Sequence, residues 1–109
     1  MQNPDTFYLE TDTAMFLMKK DRRSFGKDRY TAYANGFLCT IGVNRRFSYT
    51  VSLKTDRTYW GVCEFVEKGR ALSFEGMLSD ISKWIDDKVW DLVSDDDDND
   101  AQPFKTSNG

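Results

Sequence analysis

From residue 30 onward, apolar and polar side chains alternate in short runs, which is the period of strands with one face buried. Phe37, Cys39, Ile41 and Val43 alternate with Leu38, Thr40 and Gly42, and Phe47, Tyr49, Val51 and Leu53 alternate with Ser48, Thr50, Ser52 and Lys54. Residues 30–34 lead into the first of these runs through Asn35 and Gly36, the pair best suited to the positive φ angles of a type I′ hairpin turn. Thr55, Asp56 and Arg57 make a further turn, after which Tyr59, Gly61, Cys63 and Phe65 share one side of a strand that ends at Lys68 and Gly69. The expectation is a four-stranded antiparallel meander.

The period then lengthens. At about 100° per residue, Phe74, Met77, Leu78, Ile81, Trp84, Ile85 and Leu92 fall on one stripe, with Asp80, Lys83, Asp86 and Asp87 outside it. Ser73 is placed to cap the first turn. The predicted fold class is therefore α+β, with one long C-terminal helix packed on one face of the meander. Lys88 departs from this pattern by projecting near the middle of the stripe, and Trp90 by lying about 180° from Ile81. Burial of Trp90 against the N-terminal segment is favoured by the cost of leaving an indole wet; the alternatives are a helix that ends or bends before Trp90 and a contact with a partner.

Residues 1–28 are less patterned. Phe7, Leu9 and the run 14–18 suit two edge strands or one short helix, and residues 19–27 read as a polar, basic loop. Residues 95–109 show no periodic apolar pattern. The predicted organisation is a single domain over residues 1–94 and a flexible acidic tail over 95–109, since 109 residues suffice for one modest core.

Charge is distributed unevenly. Residues 1–70 hold twelve Lys or Arg against eight Asp or Glu, whereas residues 71–109 hold three against ten. The basic bias concentrates in Lys19, Lys20, Arg22, Arg23, Lys27, Arg29, Arg45, Arg46, Lys54 and Arg57, opposed only by Asp21, Asp28 and Asp56. Such asymmetry points to an electrostatic partner or to a tail that folds back on the body; a mixed-charge solvated surface is the plainer alternative. The early apolar run 14–18 is far shorter than the roughly 20 residues that span a bilayer, and no basic residues precede it as in a signal peptide. The expectation is a cytoplasmic protein with no membrane partner.

The sequence contains no histidine, which removes histidine-dependent triads, histidine general bases and histidine metal sites. Cys39 and Cys63 fall on the first and third of three successive predicted strands, about 9 to 10 Å apart and beyond disulfide reach. They are expected to be buried free thiols that act as small apolar core residues. Counted from Asp95, the sixth and twelfth places that a calcium loop fills with glycine and an acid hold Asp100 and Thr106. The glycines stand singly, so no phosphate-cradling loop exists. These absences lead to the expectation of a non-enzymatic protein without cofactor or metal.

Cations interleaved with aromatic rings suit single-stranded nucleic acid, because cations neutralise phosphate and rings stack on unpaired bases. Arg22, Arg23, Arg45, Arg46 and Arg57 are the predicted phosphate contacts, and Tyr33 and Trp60 the predicted stacking rings. The element order of residues 30–93 resembles the four-strands-then-helix unit of the whirly group of single-stranded-DNA-binding proteins. Asp95, Asp96, Asp97, Asp98 and Asp100 followed by Pro103 and Phe104 resemble the acidic tip of bacterial single-stranded-DNA-binding proteins. In that family the phenylalanine is terminal; here five residues follow it.

The preferred partner is thus single-stranded nucleic acid, with the tail competing for the same surface or recruiting a protein. The alternative is a protein-directed inhibitor or adaptor, such as a phage or plasmid counter-defence factor or a toxin-neutralising immunity protein, acting on a basic partner by acidic mimicry of nucleic acid. In that case Trp90, the five tail aspartates and Phe104 make the contacts. A homo-oligomer is compatible with either.

Overall fold

The computed structural model describes residues 3–24, 26–58 and 61–101, with side chains as far as Leu92 apart from those of residues 22–24, 57 and 58. Among these residues six strands, β1 (Thr6–Glu10), β2 (Met15–Ser24), β3 (Lys27–Ala34), β4 (Phe37–Val43), β5 (Ser48–Thr58) and β6 (Gly61–Arg70), precede one helix, α1 (Phe74–Ala101). The strands form one antiparallel sheet in chain order.

The α+β class and the helix-on-sheet arrangement are as the sequence indicates, but the meander has six strands rather than four. β3 to β6 are the expected four, although Thr55, Asp56 and Arg57, expected as a turn, continue β5, where the register with β6 shifts between Thr55 and Thr58. The N-terminal segment supplies the other two as edge-side strands, with no short helix. Residues 19–24 are strand rather than loop: Lys19 faces Thr31, Lys20 faces Tyr30, and beyond a bulge Arg22, Arg23 and Ser24 face Arg29, Asp28 and Lys27. Charge does not exclude this segment from the sheet, because the inward Lys20 ammonium lies 3.5 Å from Asp5 and 3.7 Å from the buried Asp28. It also donates to the Asn3 carbonyl at 3.3 Å. Such pairing is what makes a nearly buried cation tolerable.

Asn35 and Gly36 take φ angles of 53° and 84°, as a type I′ turn requires. The β4–β5 turn is held instead by Asn44, whose side-chain oxygen accepts from the Arg46 and Ser48 amides at 2.8 and 3.0 Å.

Inward-facing Leu9, Phe16, Met18, Tyr30, Ile41, Val43, Val51 and Leu53 meet Met77, Ile81, Ile85 and Val89 of the helix. Each such large side chain contributes about 1.5–3 kcal/mol by leaving water. Phe7 packs edge-on against Tyr30 and Phe74, with ring centroids 4.8 and 5.0 Å away. The helix begins as expected, the Gly76 amide donating to Ser73 Oγ at 2.9 Å. Further on, Ser82 Oγ donates to the Glu10 carbonyl at 2.7 Å, and the Asp86 carboxylate accepts from the Asp12 amide at 3.0 Å. The helix is thereby tied to the β1–β2 turn.

Lys88 is half-buried with its ammonium 5.7 Å from the centroid of the Phe65 ring, so the cation within the stripe is accommodated by an aromatic face. Trp90 is 68 % exposed, contrary to the expected burial. It continues the row of Ser82 and Asp86 at spacings of four, and the β1–β2 hairpin that those two residues reach is too short to cover the next turn. The helix itself passes the expected end near residue 93, so the backbone of Asp95, Asp96, Asp97, Asp98 and Asp100 is helical where a flexible tail was expected. Cys39 and Cys63 are free, on β4 and β6 with β5 between them, but only Cys39 is buried as expected; Cys63 is half-buried because β6 is the last strand of the sheet. Burial pushes the Cys39 thiol up to about 12.

Candidate functional site

Because side chains alternate across a strand, the residues that build the core leave a second set facing away from the helix. Three cross-strand rows on β3 to β6 define this outer face. Tyr33, Leu38, Lys54 and Glu64 face one another in turn; Thr31, Thr40, Ser52 and Val66 form the next row; Arg29, Gly42, Thr50 and Lys68 form the third. On β1 and β2 the same face carries Tyr8 opposite Leu17 and Thr6 opposite Lys19. Tyr8, Met15, Leu17, Tyr33, Leu38, Val62 and Val66 are all exposed, so this face is an uncovered surface of mixed rings, aliphatic groups and cations.

Tyr33 is 70 % exposed and stands at the rim of a shallow cavity of about 200 Å³. Leu38 and Val62 give that cavity apolar walls, and Lys54 and Asp56 place one charge of each sign at its edge. Lys54 faces Glu64, and Arg29 Nε lies 3.5 Å from Asp21, which also accepts from the Thr31 hydroxyl at 2.8 Å. The face is therefore not uniformly basic.

Its cationic end is set by the register. Asp28 faces Val43, so the β2–β3 and β4–β5 turns lie at the same end of the sheet, bringing exposed Arg45 and Arg46 close to Lys27 and Arg29. Arg70, facing Ser48, joins them. The backbone of Arg22 and Arg23 runs here too, though their side chains lie outside the described residues. The predicted phosphate contacts are consequently divided: Arg57 sits on β5 beyond Thr55, toward the opposite end, with its side chain outside the described residues, and Trp60 lies wholly outside them. Tyr33 is four residues from the Arg29 row, about 14 Å at strand spacing.

Sequence reasoning counted Lys19, Arg29 and Lys54 in the basic stretch but named neither them nor Tyr8 as contacts. The alternation over 47–54 already assigned Lys54 to the wet face, whereas Tyr8 had no assigned strand to give it a direction.

A second surface lies at the far side of the helix. Asp12, Thr13, Asp86, Asp87, Val89 and Trp90 line an open cavity of about 430 Å³ between α1 and the β1–β2 turn. Burial raises the Asp86 carboxyl above the usual range, against the lowering effect of the Asp12 amide that donates to it. Exposed Asp87 and Asp91 flank the indole, making an acidic, aromatic patch. The side chains of the five later aspartates, and all of Phe104, lie outside the described residues.

Among the described residues no group of three or more histidine, cysteine or acidic side chains is arranged to hold a metal. No helix there is long and apolar enough to cross a membrane. No protein-family model, curated protein or solved structure matches the chain.

Proposed function

We propose that this protein is a non-catalytic, cytoplasmic binding protein that takes single-stranded nucleic acid across the outer face of its sheet. The observation that carries the reading is the exposed Tyr33 ring at the rim of a cavity walled by Leu38 and Val62, with Lys54 beside it on a face that no helix of the described residues covers. An unpaired base stacks on Tyr33 and enters that cavity, while Lys54 meets the adjoining phosphate. The strand then runs toward Arg29, Arg45 and Arg46, a path of about four nucleotides, the lower end of site sizes for single-strand binders. Asp56 and Glu64 oppose the approach, so the affinity is modest and falls steeply with salt.

Fluorescence anisotropy with a labelled single-stranded oligonucleotide tests this. Tyr33→Ala removes a stacking platform worth about 1–3 kcal/mol, or roughly a 5- to 150-fold loss of affinity, with no change in melting temperature because the ring is outside the core. Replacing both Arg45 and Arg46 by Ala removes two phosphate contacts and flattens the slope of log affinity against log salt by about 1.4. Absence of binding by the full chain at low salt overturns the proposal.

The exposure of Trp90 beside Asp86, Asp87 and Asp91 favours a second reading, an inhibitor or adaptor directed at a basic protein. There the indole is the desolvated anchor and the carboxylates supply charge complementarity. Trp90→Ala separates the two readings: oligonucleotide affinity stays unchanged under the first, and capture of a basic protein after nuclease treatment is lost under the second.

A further inference from the structure

The sheet is open, so β1 and β6 each have one edge without a neighbouring strand among the described residues. β1 has five residues and β6 has ten. A strand edge of that length is a template for another chain unless something blunts it. β6 carries four charges that discourage indiscriminate pairing, Glu64, Glu67, Lys68 and, at its end, Arg70, but their positions select one arrangement.

In antiparallel self-pairing the side chains keep their faces only when the two paired positions have the same parity. Centring the pair on Glu64 or on Glu67 places like charges directly opposite each other, which is destabilising. Centring it on Phe65 places Val66 opposite Glu64 and leaves Lys68 opposite Val62, so neither charge is matched. Centring it on Val66 sets Glu64 opposite Lys68 twice, once on each side of the two-fold axis, with Val66 against its own copy between them. Every one of these outward side chains is exposed, and Glu64 and Lys68 are free to turn toward the added strand.

We propose that two copies of this chain associate through antiparallel β6–β6 pairing centred on Val66, giving a continuous twelve-stranded sheet. The two-fold interface is isologous, with the same nine residues, 62–70, contributed by each copy. The outer faces of both sheets then adjoin, and the inner faces with their helices lie together on the opposite side. The interface is small, so the dimer is a weak one that shifts with concentration. Association is independent of what the outer face binds.

Light scattering after size exclusion of the full chain tests the proposal. The wild type runs at twice 12.7 kDa at high concentration. Glu64→Lys and Lys68→Glu each return it to the single-chain mass, because each places like charges opposite across the new pair. The double variant, Glu64→Lys with Lys68→Glu, restores the dimer, and circular dichroism with an unchanged melting temperature shows that all three fold. Val66→Cys, in a chain with Cys63→Ser, forms an intermolecular disulfide on mild oxidation, since directly opposed positions bring the Cα atoms within disulfide range. A wild type that remains single at the highest soluble concentration overturns the proposal, as does a dimer that survives both single reversals.

Discussion

Replacing Tyr30 by phenylalanine removes one oxygen atom from the structure, and its consequence depends on pH. The Tyr30 ring is wholly buried against Phe7, and its hydroxyl donates to the Pro4 carbonyl at 2.6 Å. Loss of that hydrogen bond costs about 0.5–1.5 kcal/mol near neutrality, the lower part of the range for unpaired groups because Pro4 is itself exposed and water can reach its carbonyl. Burial, reinforced by the carboxylates of Asp28 and Asp5, pushes the Tyr30 phenol up to about 12. In the unfolded chain it ionises near 10. Below about pH 10 both states hold the proton and the residue's contribution is complete; above it the unfolded state releases the proton while the folded state retains it, so stability falls as pH rises toward 12. Two units correspond to at most about 2.7 kcal/mol, and solvent at the hydroxyl end reduces this to roughly 1. The phenylalanine variant, having no phenol to ionise, escapes this loss. Urea titrations followed by tryptophan fluorescence should therefore show the variant less stable at pH 7, with the gap closing between about pH 10 and pH 12. A gap that stays constant across that interval would refute the reasoning, because it would mean that the phenol ionises alike in both states.

Ile81→Ala, at the centre of the helix stripe and 1 % exposed, should lower unfolding free energy by about 2–5 kcal/mol in the same titration, and a smaller loss would mean that the helix does not close the core. Gly69→Ala places a methyl group inside the ring of Tyr49, which faces it across β5 and β6. The ring must shift, and a loss of about 1–3 kcal/mol is expected in thermal unfolding. Cys63, half-exposed on β6, should react with a thiol reagent in the native protein, whereas buried Cys39 should react only on unfolding. Two equally protected thiols would contradict the placement of β6.

The legible part of this fold is the part where alternation and turn chemistry agree. Asn35 and Gly36 fix a hairpin, the runs 37–43 and 47–54 fix two faces, and Ser73 fixes the start of the helix. β1 and β2 were ambiguous because an apolar run as short as 14–18 has no period of its own, and because the strand continues through Lys19, Lys20, Asp21, Arg22 and Arg23. What holds Lys20 in the sheet is Asp5 and Asp28, partners that only the folded chain brings together. The site was legible to a similar extent. Phe37, Phe47 and Tyr49 alternate onto the core face, which leaves Tyr33 among the candidate stacking rings, and the structure leaves it exposed. That Arg57 stands apart from Arg45 and Arg46 depends on which turns share an end of the sheet, which depends in turn on counting the strands. Trp90 was misjudged because covering it requires a segment longer than the β1–β2 hairpin, and nothing in the composition of residues 1–28 measures that length.

The order of the strands along the chain also sets an order of events during synthesis. Every pairing in the sheet joins consecutive strands, so each hairpin can close soon after it leaves the ribosome, and local pairing of this kind favours quick folding for a β-rich chain. The bonds from Ser82 to Glu10 and from Asp86 to Asp12 are of another kind, spanning 72 and 74 positions. Until residues 74–89 emerge, the whole inner face, from Leu9 on β1 to Leu53 on β5, has nothing to pack against. A nascent or prematurely ended chain therefore displays a complete sheet with its apolar side bare, the species on which chaperones act and from which aggregates grow. Release of stalled chains ending between residues 70 and 89 should mark a sharp change from chaperone-bound to free protein.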